Sequence, residues 1–125
     1  MLSQLEAYSV LPAKDLKRAR EFYRDKLGLE PVEEHEHGLV YRTKSGGRVQ
    51  MYETENAGTA RNTALGWMTD DLEAEMAALR SHGVVFEEYD APGLKTVNGI
   101  ATDSDGKAAW FRDSEGNFIC VSEGI

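Results

Sequence analysis

Two stretches of the chain place hydrophobic residues at helical spacing between an aspartate and a glycine. The apolar stripe of the first stretch consists of Leu16, Ala19, Phe22, Tyr23 and Leu27. Asp15 precedes it as an N-cap, and Gly28 follows it as the left-handed residue that ends a helix. In the second stretch Asp71 and Gly83 take these two roles, and the apolar positions are Leu72, Met76, Ala78 and Leu79. The chain is therefore predicted to contain one module twice.

Alternation of apolar and polar residues predicts strands on both sides of each helix. The first module, about residues 3–54, is predicted to have strands at 4–11, 29–35, 39–43 and 48–54. The second, about residues 63–123, is predicted to have strands at 63–69, 84–89, 108–112 and 118–122. Residues 55–62 form the predicted linker, and residues 90–106 are interpreted as a long irregular loop, either a lid or a mobile connection. The fold expected for residues 1–125 is a single α+β domain.

Composition narrows the classes of partner. The chain has 125 residues, a net charge of −8 and a pI near 4.8, so no basic surface is available for nucleic acid or an anionic membrane. Cys120 is the single cysteine, which excludes an internal disulfide and fits a reducing compartment. No secretory signal and no run of about 20 apolar residues is found. We expect a cytoplasmic protein with neither a membrane nor a nucleic-acid partner.

Two motifs carry a resemblance to a known family. The run from Asp15 to Gly28 and the closing run from Trp110 to Phe118 resemble the vicinal oxygen chelate superfamily. That superfamily includes glyoxalase I, bleomycin-resistance proteins and extradiol dioxygenases. The resemblance implies two βαβββ modules that form a cupped mixed sheet, with a helix on each convex face and a cavity on the concave faces. It also implies a homodimer.

The metal enzymes of this superfamily take four ligands from the first, fourth, fifth and eighth strands. Carried over to this chain, those positions hold Tyr8, Gln50, Ala64 and Cys120. Ala64 offers no donor atom, Gln50 offers a neutral carbonyl, and Tyr8 would have to ionise from a pKa near 10. Cys120 alone cannot hold a metal ion. The usual metal site is therefore predicted to be absent, and no cofactor is expected.

The concave faces are the predicted ligand site. The residues assigned to it are Tyr8, Gln50, Tyr52, Ala64, Phe111, Phe118 and Cys120. Trp67 and Trp110 are assigned to the helix-covered core. These assignments describe a cavity with aromatic walls and few polar groups. Arg42, Arg48 and Arg112 would allow the site to accept an anion despite the acidic surface.

Two further motifs are given structural interpretations. His35 and His37, among glutamates, are interpreted as a solvated hairpin tip in preference to a metal tract, because no third ligand has a defined spacing. The segment 103–106 is interpreted as a turn and not as a calcium loop, because the remaining ligands of such a loop are missing.

The sequence thus predicts a metal-independent protein of the glyoxalase/bleomycin-resistance type that binds a small, largely apolar or aromatic organic molecule. The alternative is an enzyme of the same superfamily (a lyase, isomerase or dioxygenase). Such an enzyme would use a displaced metal, or a metal-free mechanism run by Tyr8, Cys120 or a carboxylate of segment 90–106. A third interpretation is a structural or regulatory module whose cavity is filled by its own side chains. Whether the chain is an enzyme stays open at this point.

Overall fold

The structure is a computed structural model that describes residues 1–124, and it contains two sheets with one helix each. The first unit, after a 3₁₀ turn at Leu2–Gln4, consists of β1 (Ser9–Ala13), α1 (Leu16–Leu27), β2 (Glu33–His35), β3 (Gly38–Arg42) and β4 (Arg48–Glu53). The second consists of β5 (Thr63–Met68), α2 (Leu72–Ser81), β6 (Asp90–Ala91), β7 (Leu94–Val97), β8 (Ile100–Thr102), β9 (Lys107–Arg112) and β10 (Phe118–Glu123). The first sheet has the order β1-β4-β3-β2 and the second the order β5-β10-β9-β8-β7-β6. In each sheet the first strand pairs in parallel with the last, and every other pair is antiparallel, so the predicted α+β class with mixed sheets is confirmed.

Both helices begin and end where their capping residues predict. The Asp15 carboxylate accepts a bond of 3.0 Å from the N–H of Arg18, and the Asp71 carboxylate accepts one of 3.1 Å from the N–H of Ala74. Gly28 has a φ of 71°, and its N–H reaches the carbonyl of the last full turn of α1. Within residues 1–124 neither helix is long and apolar enough to cross a membrane.

The hydrophobic core lies between the helices and one face of each sheet. In β4, Met51 is fully buried whereas its neighbour Tyr52 is 45% exposed, which is the alternation that a sheet covered on one side requires. The helices contribute their apolar stripes, with Tyr23 and Met76 each 1% exposed. Ala78 is exposed on α2, so its assignment to the core was wrong.

The second unit differs from the predicted pattern between residues 84 and 106. The strand predicted at 84–89 is wrong, because only Phe86 makes a bridge, to Phe111. The irregular loop predicted at 90–106 is also wrong, because this segment forms β6, β7 and β8 at the edge of the sheet. Asn98 and Gly99, with φ of 54° and 82°, form the two-residue turn between β7 and β8. An Asn-Gly pair between apolar residues is a strong hairpin signal, which the interpretation of residues 90–106 as an irregular loop left unused.

The limits of the strands in the first unit also differ from the predicted ones. β1 begins at Ser9 and contains Pro12, which was expected to end it. Because β1 is an edge strand of its sheet, the missing N–H of Pro12 removes no interior ladder bond. β2 is shorter than predicted. His35 and His37 lie at the exposed β2–β3 hairpin tip, as expected.

A buried carboxylate joins the second unit to the first helix. Glu115 lies in the turn between β9 and β10, and its side chain is completely buried. It accepts bonds of 3.0 Å from the N–H groups of Lys14 and Asp15 and of 2.9 Å from Nε of Arg18. Burial alone raises the pKa of Glu115, but the bonds from Arg18, Asp15 and Ser114 outweigh it and lower the pKa from 4.5 to about 2.

Two more contacts fix the same junction. The Tyr23 hydroxyl donates a bond of 2.6 Å to the buried Asp113 carboxylate, and burial beside this negative charge raises the pKa of Tyr23 well above 10. The predicted linker packs on the same turn. A Cβ built at Gly116, where φ is 86°, would lie 2.9 Å from the Cα of Gly58. Helix, turn and linker therefore meet at one point.

Replacing Glu115 with Gln is expected to lower the free energy of unfolding at pH 7 by on the order of 2–3 kcal/mol. The folded-state pKa lies below the ordinary value, so the stabilisation is present above pH 4.5 and is lost as the pH falls toward about 2. The wild-type protein should therefore lose stability across that window more steeply than the variant. Urea unfolding followed by circular dichroism at pH 7 and at about pH 3 measures both effects.

Glu55→Gln is the matched control, because Glu55 is exposed and lies in the linker. If Glu115→Gln unfolds with the same free energy and the same pH slope as Glu55→Gln, the buried carboxylate does not hold the junction.

Candidate functional site

The sheet faces that point away from the helices carry most of the side chains that sequence reasoning selected. In the first sheet Val10 lies opposite Gln50, and Pro12 lies opposite Tyr52. Tyr8, Val10 and Tyr52 are 53%, 50% and 45% exposed, so this face is open in the single chain. We call the two sheet faces that point away from the helices, one in each sheet, the free faces.

On the free face of the second sheet, the register corrects two sequence assignments. Cys120 pairs with Trp110, and Ile119 pairs with Phe111. Trp110 therefore lies on the free face, whereas Phe111, 1% exposed, packs edge-on against Phe86 on the helix-covered face. The prediction that Phe111 lines the concave face and that Trp110 belongs to the core was wrong. A shift of one residue in hairpin register exchanges the two faces of a strand, and the sequence alone did not fix this register.

The second sheet holds an aromatic cleft of about 410 Å³. Its walls are Tyr89, Leu94, Trp110 and Phe118, and its polar rim is Arg61, Asn62 and Thr63. We call it the aromatic cleft. It is within the size range of small-molecule pockets, which are mostly apolar with a few fixed polar groups.

Neighbouring groups hold the walls of the aromatic cleft in place. The ring of Trp110 meets that of Tyr89 edge-on at 6.0 Å, and its Nε1 donates a bond of 3.1 Å to the Thr63 hydroxyl. The guanidinium of Arg112 lies 5.4 Å from the ring centre of Phe118. Burial, followed by the charge of Glu87, raises the pKa of Tyr89 above its usual range, so its hydroxyl is a neutral hydrogen-bond donor at pH 7.

The first sheet holds a second cleft of about 430 Å³, lined by Glu6, Ala7, Tyr8, Arg42, Gly46 and Arg48. We call it the arginine cleft. Arg42 and Arg48 face each other directly across β3 and β4. The guanidinium of Arg48 lies 5.5 Å from the ring centre of Tyr8, in cation–π geometry.

A smaller cavity of about 230 Å³ lies on the helix-covered side, where Leu27 and Leu29 at the end of α1 approach Trp67 and Leu79. Trp67 therefore lies on the side where it was expected. Phe111 lines this cavity and not the aromatic cleft. Core side chains and the more exposed Met68 and Glu75 line it, and it is below the volume of a typical ligand pocket.

The predicted site residues thus fall into separate groups. Phe118 lines the aromatic cleft, and Cys120 shares its sheet face. Ala64 also lies on that face, since its neighbour Leu65 points into the core. Tyr8 lines the arginine cleft, and Gln50 and Tyr52 lie on the same sheet face as Tyr8. Among the described residues none lines both clefts.

The residues at the family's metal positions do not fit a divalent metal ion. Tyr8 and Gln50 belong to one sheet and Ala64 and Cys120 to the other, and together they offer no carboxylate and no imidazole. Burial raises the pKa of the Cys120 thiol, and the bond from the N–H of Ala109 offsets this only in part. The thiolate that a metal requires is therefore disfavoured. In the part of the chain that the structure describes, no three His, Cys, Asp or Glu residues form a group that could hold a metal.

Sequence reasoning missed three walls of the aromatic cleft. Tyr89 was placed in a strand that does not form, Leu94 in an irregular loop, and Trp110 in the core. The Asn98-Gly99 signal would have placed Leu94 in a hairpin strand. The face of Trp110 depended on a register that the sequence pattern left undetermined.

Comparison with solved structures shows the same fold in proteins of low sequence identity. TnmS3, an antibiotic-binding protein from Streptomyces sp. CB03234, is 22% identical with a TM-score of 0.70, and the match covers 97% of this chain and 98% of that one. A glyoxalase/bleomycin resistance protein from Catenulispora acidiphila is 25% identical with a TM-score of 0.65, covering 95% and 97%. A variant of the fosfomycin resistance protein FosX from Listeria monocytogenes, in complex with Mn(II) and a dihydroxypropylphosphonic acid, is 15% identical with a TM-score of 0.71, covering 100% and 93%.

A comparison with curated protein sequences finds no significant match. The family model described as Glyoxalase/Bleomycin resistance protein/Dioxygenase superfamily matches residues 7–121, which is nearly the whole chain. With the paired sheet-and-helix units described above, this match establishes the assignment: the chain belongs to the glyoxalase/bleomycin resistance protein/dioxygenase superfamily.

Proposed function

We propose that this protein binds a small organic molecule, largely apolar or aromatic, in the aromatic cleft and without a metal ion. The observation that carries the proposal is the position of Trp110 and Phe118. Both large aromatic side chains stand on a sheet face that no helix covers. Large aromatic groups are normally buried in a core, so a cleft walled by them presents a surface whose burial by a flat ligand would be favourable.

The polar groups of the aromatic cleft would orient the ligand. Tyr89 offers a neutral hydroxyl, and Thr63 and Asn62 offer further polar groups at the rim. TnmS3, with the same fold, is an antibiotic-binding protein, which supports a binding role for this chain. The FosX complex contains Mn(II), so the fold also accommodates metal chemistry where the donor atoms permit it. In this chain the donor set described above does not.

The chemistry of Cys120 argues against a nucleophilic role. A reactive thiol has a lowered pKa beside a cation or a helix N-terminus, whereas burial raises the pKa of Cys120. We assign it to the floor of the free face beside Trp110, where it contributes packing.

The proposal includes a homodimer. Val10 and Tyr52 on the first free face and Met68 at the end of β5 are 50%, 45% and 84% exposed in the single chain. A second copy of the chain that covers these apolar side chains would also enclose the clefts and exclude water from them.

Trp110→Ala is expected to weaken binding of 2-naphthol, a neutral aromatic probe, by about tenfold or more, because the main wall of the cleft is lost. Isothermal titration calorimetry measures the affinity of both proteins, and in a nuclear magnetic resonance titration of the wild-type protein the indole N–H of Trp110 reports the cleft. The indole of Trp67, on the helix-covered side, is the internal control and should not move. A probe that shifts Trp67 and leaves Trp110 unchanged would place the site elsewhere.

Protein purified without chelator and without a metal-affinity tag is expected to contain far less than a stoichiometric amount of Ni, Zn, Mn or Fe. The reason is the donor set at Tyr8, Gln50, Ala64 and Cys120. Elemental analysis measures the metal, and native mass spectrometry of the same sample reports any retained organic molecule. A stoichiometric metal that resists dialysis would refute the metal-free proposal and favour the enzyme alternative.

Val10→Lys is expected to shift the protein toward the monomer, because it places a charge on the apolar free face. Val97→Lys is the matched control, since Val97 is also an exposed strand valine, 65% exposed, but lies on the helix-covered side of its sheet. Sedimentation velocity over a range of concentrations measures the association. Equal association of the two variants would show that the dimer, if formed, does not bury this face.

A further inference from the structure

Two arginines of the first sheet stand in an arrangement that is unfavourable without an anion. Arg42 and Arg48 lie directly opposite each other on β3 and β4. Like charges at opposite positions of an antiparallel pair repel, and they destabilise the pair. Within residues 1–124 neither guanidinium forms an ion pair with a carboxylate, although 22 of the 125 residues are Asp or Glu.

The Nε atom of Arg48 gives stronger evidence for a missing anion than the pairing of the two arginines does. This atom is buried and has no hydrogen-bond partner among the residues described. A buried donor without a partner, especially one that carries charge, costs free energy until an acceptor satisfies it. The guanidinium of Arg48 lies 5.5 Å from the ring centre of Tyr8, so the ring packs against the side chain that carries this unsatisfied donor.

The second sheet supplies an internal comparison, because its last hairpin repeats the geometry of the first. In the turn after β3, the N–H of Gly47 binds Thr43 Oγ1, and in the turn after β9 the N–H of Asn117 binds Asp113 Oδ1. Arg112 and Phe118 therefore occupy the positions of Arg42 and Arg48.

At the equivalent position the charge is neutralised. Arg112 donates a bond of 2.6 Å from Nε to the carboxylate of Glu87, and its guanidinium covers Phe118 and not a second cation. The first sheet has two arginines where the second has one, and among the described residues no carboxylate pairs with either of them. The same backbone frame thus presents an uncompensated positive pair in one copy only.

We propose that the arginine cleft is an anion subsite, in which Arg42 and Arg48 together bind a carboxylate or phosphate group of the ligand. Two guanidinium groups offer planar, paired N–H donors that match the oxygens of these anions. Tyr8 lines the same cleft, and its side chain carries a hydroxyl that can act as a further donor. The overall charge of −8 makes nonspecific anion binding elsewhere on the surface unfavourable.

This inference rests on the proposed function for the identity of the ligand and narrows its class to organic anions. Glu6 also lines the arginine cleft, and its carboxylate would repel the anion. Because of that repulsion, two charge removals in the same cleft should change the affinity for an anion in opposite directions. Removing a charge at Arg48 should weaken binding, and removing one at Glu6 should strengthen it.

The first experiment titrates the ¹⁵N-labelled protein with inorganic phosphate, which needs no aromatic cleft to bind. The expected result is a saturable shift of the Arg48 Nε–H resonance. Arg48→Gln and Arg42→Gln should each weaken the affinity by about tenfold or more, because a charge-assisted bond is lost. Arg24→Gln is the matched control, since Arg24 is exposed on α1 and pairs with Asp25.

Glu6→Gln should tighten phosphate binding by about twofold or more at low salt. The proposal is overturned if phosphate leaves Arg48 Nε–H unmoved, or if Arg48→Gln binds phosphate as well as Arg24→Gln does. It is also overturned if Arg48→Gln changes only the monomer–dimer equilibrium, because a carboxylate of a second copy would then be the partner of these arginines.

The second experiment compares a carboxylate with a phosphate as the anionic group. It also distinguishes failure of the anion subsite from failure of the aromatic cleft. Benzoate and phenyl phosphate carry the two anionic groups on an aromatic ring, and the resonances of Arg48 Nε–H and Trp110 Nε1–H report the two clefts independently. Shifts at Arg48 without shifts at Trp110 support the anion subsite while the aromatic cleft fails. Shifts at Trp110 alone support the aromatic cleft and overturn the anion subsite.

Discussion

The arrangement of this chain depends on one buried carboxylate. Glu115 accepts bonds from the N–H groups of Lys14 and Asp15, which directly precede α1, and from the guanidinium of Arg18, so a turn of the second unit fixes the start of the first helix. Asp113 adds the bond from Tyr23, and Asn117 donates a bond of 3.0 Å to the carbonyl of Pro12. A buried carboxylate is tolerated only when donors surround it. Apart from the Ser114 hydroxyl, the donors to Glu115 come from the other unit, so the second unit does not satisfy this carboxylate by itself.

The junction also decides which surfaces remain available. Each helix covers one face of its sheet, and the turn and linker close the junction on the helix side. No helix covers the opposite faces, and the large side chains on them stay partly exposed. Because these faces carry Trp110 and Phe118 in one sheet and Arg42 and Arg48 in the other, the chain offers an apolar surface and a cationic surface of similar size.

Local signals in the sequence predicted the helices and their ends. Asp15, Gly28 and Asp71 act within a few residues of themselves, and the apolar stripes needed only helical periodicity. The strand faces of β1 and β4 also followed from alternation. The family, and with it the paired sheets, followed from the resemblance of two motifs.

Strand register and contacts between distant segments could not be predicted from the sequence in the same way. Whether Phe111 or Trp110 shares a face with Cys120 depends on how β9 and β10 pair across a five-residue turn, and each register satisfies the alternation. The short strands in 90–106 carry too few residues for a periodic signal. The role of Glu115 was hidden because its partners lie about a hundred positions away. Sequence patterns record neighbours along the chain, whereas these features join distant segments.

The two equivalent turns have diverged in how much change they tolerate. The turn of Asp113–Asn117 is enclosed by α1 and by Gly58, so almost any substitution there disturbs a second segment. The turn of Thr43–Gly47 has the same backbone bonds but is mostly exposed to solvent. Substitutions there, next to Arg42 and Arg48, meet fewer neighbouring segments than substitutions in the enclosed turn. One hairpin is therefore a fixed joint of the fold, whereas the equivalent hairpin is a place where the surface can be altered while the joint stays intact.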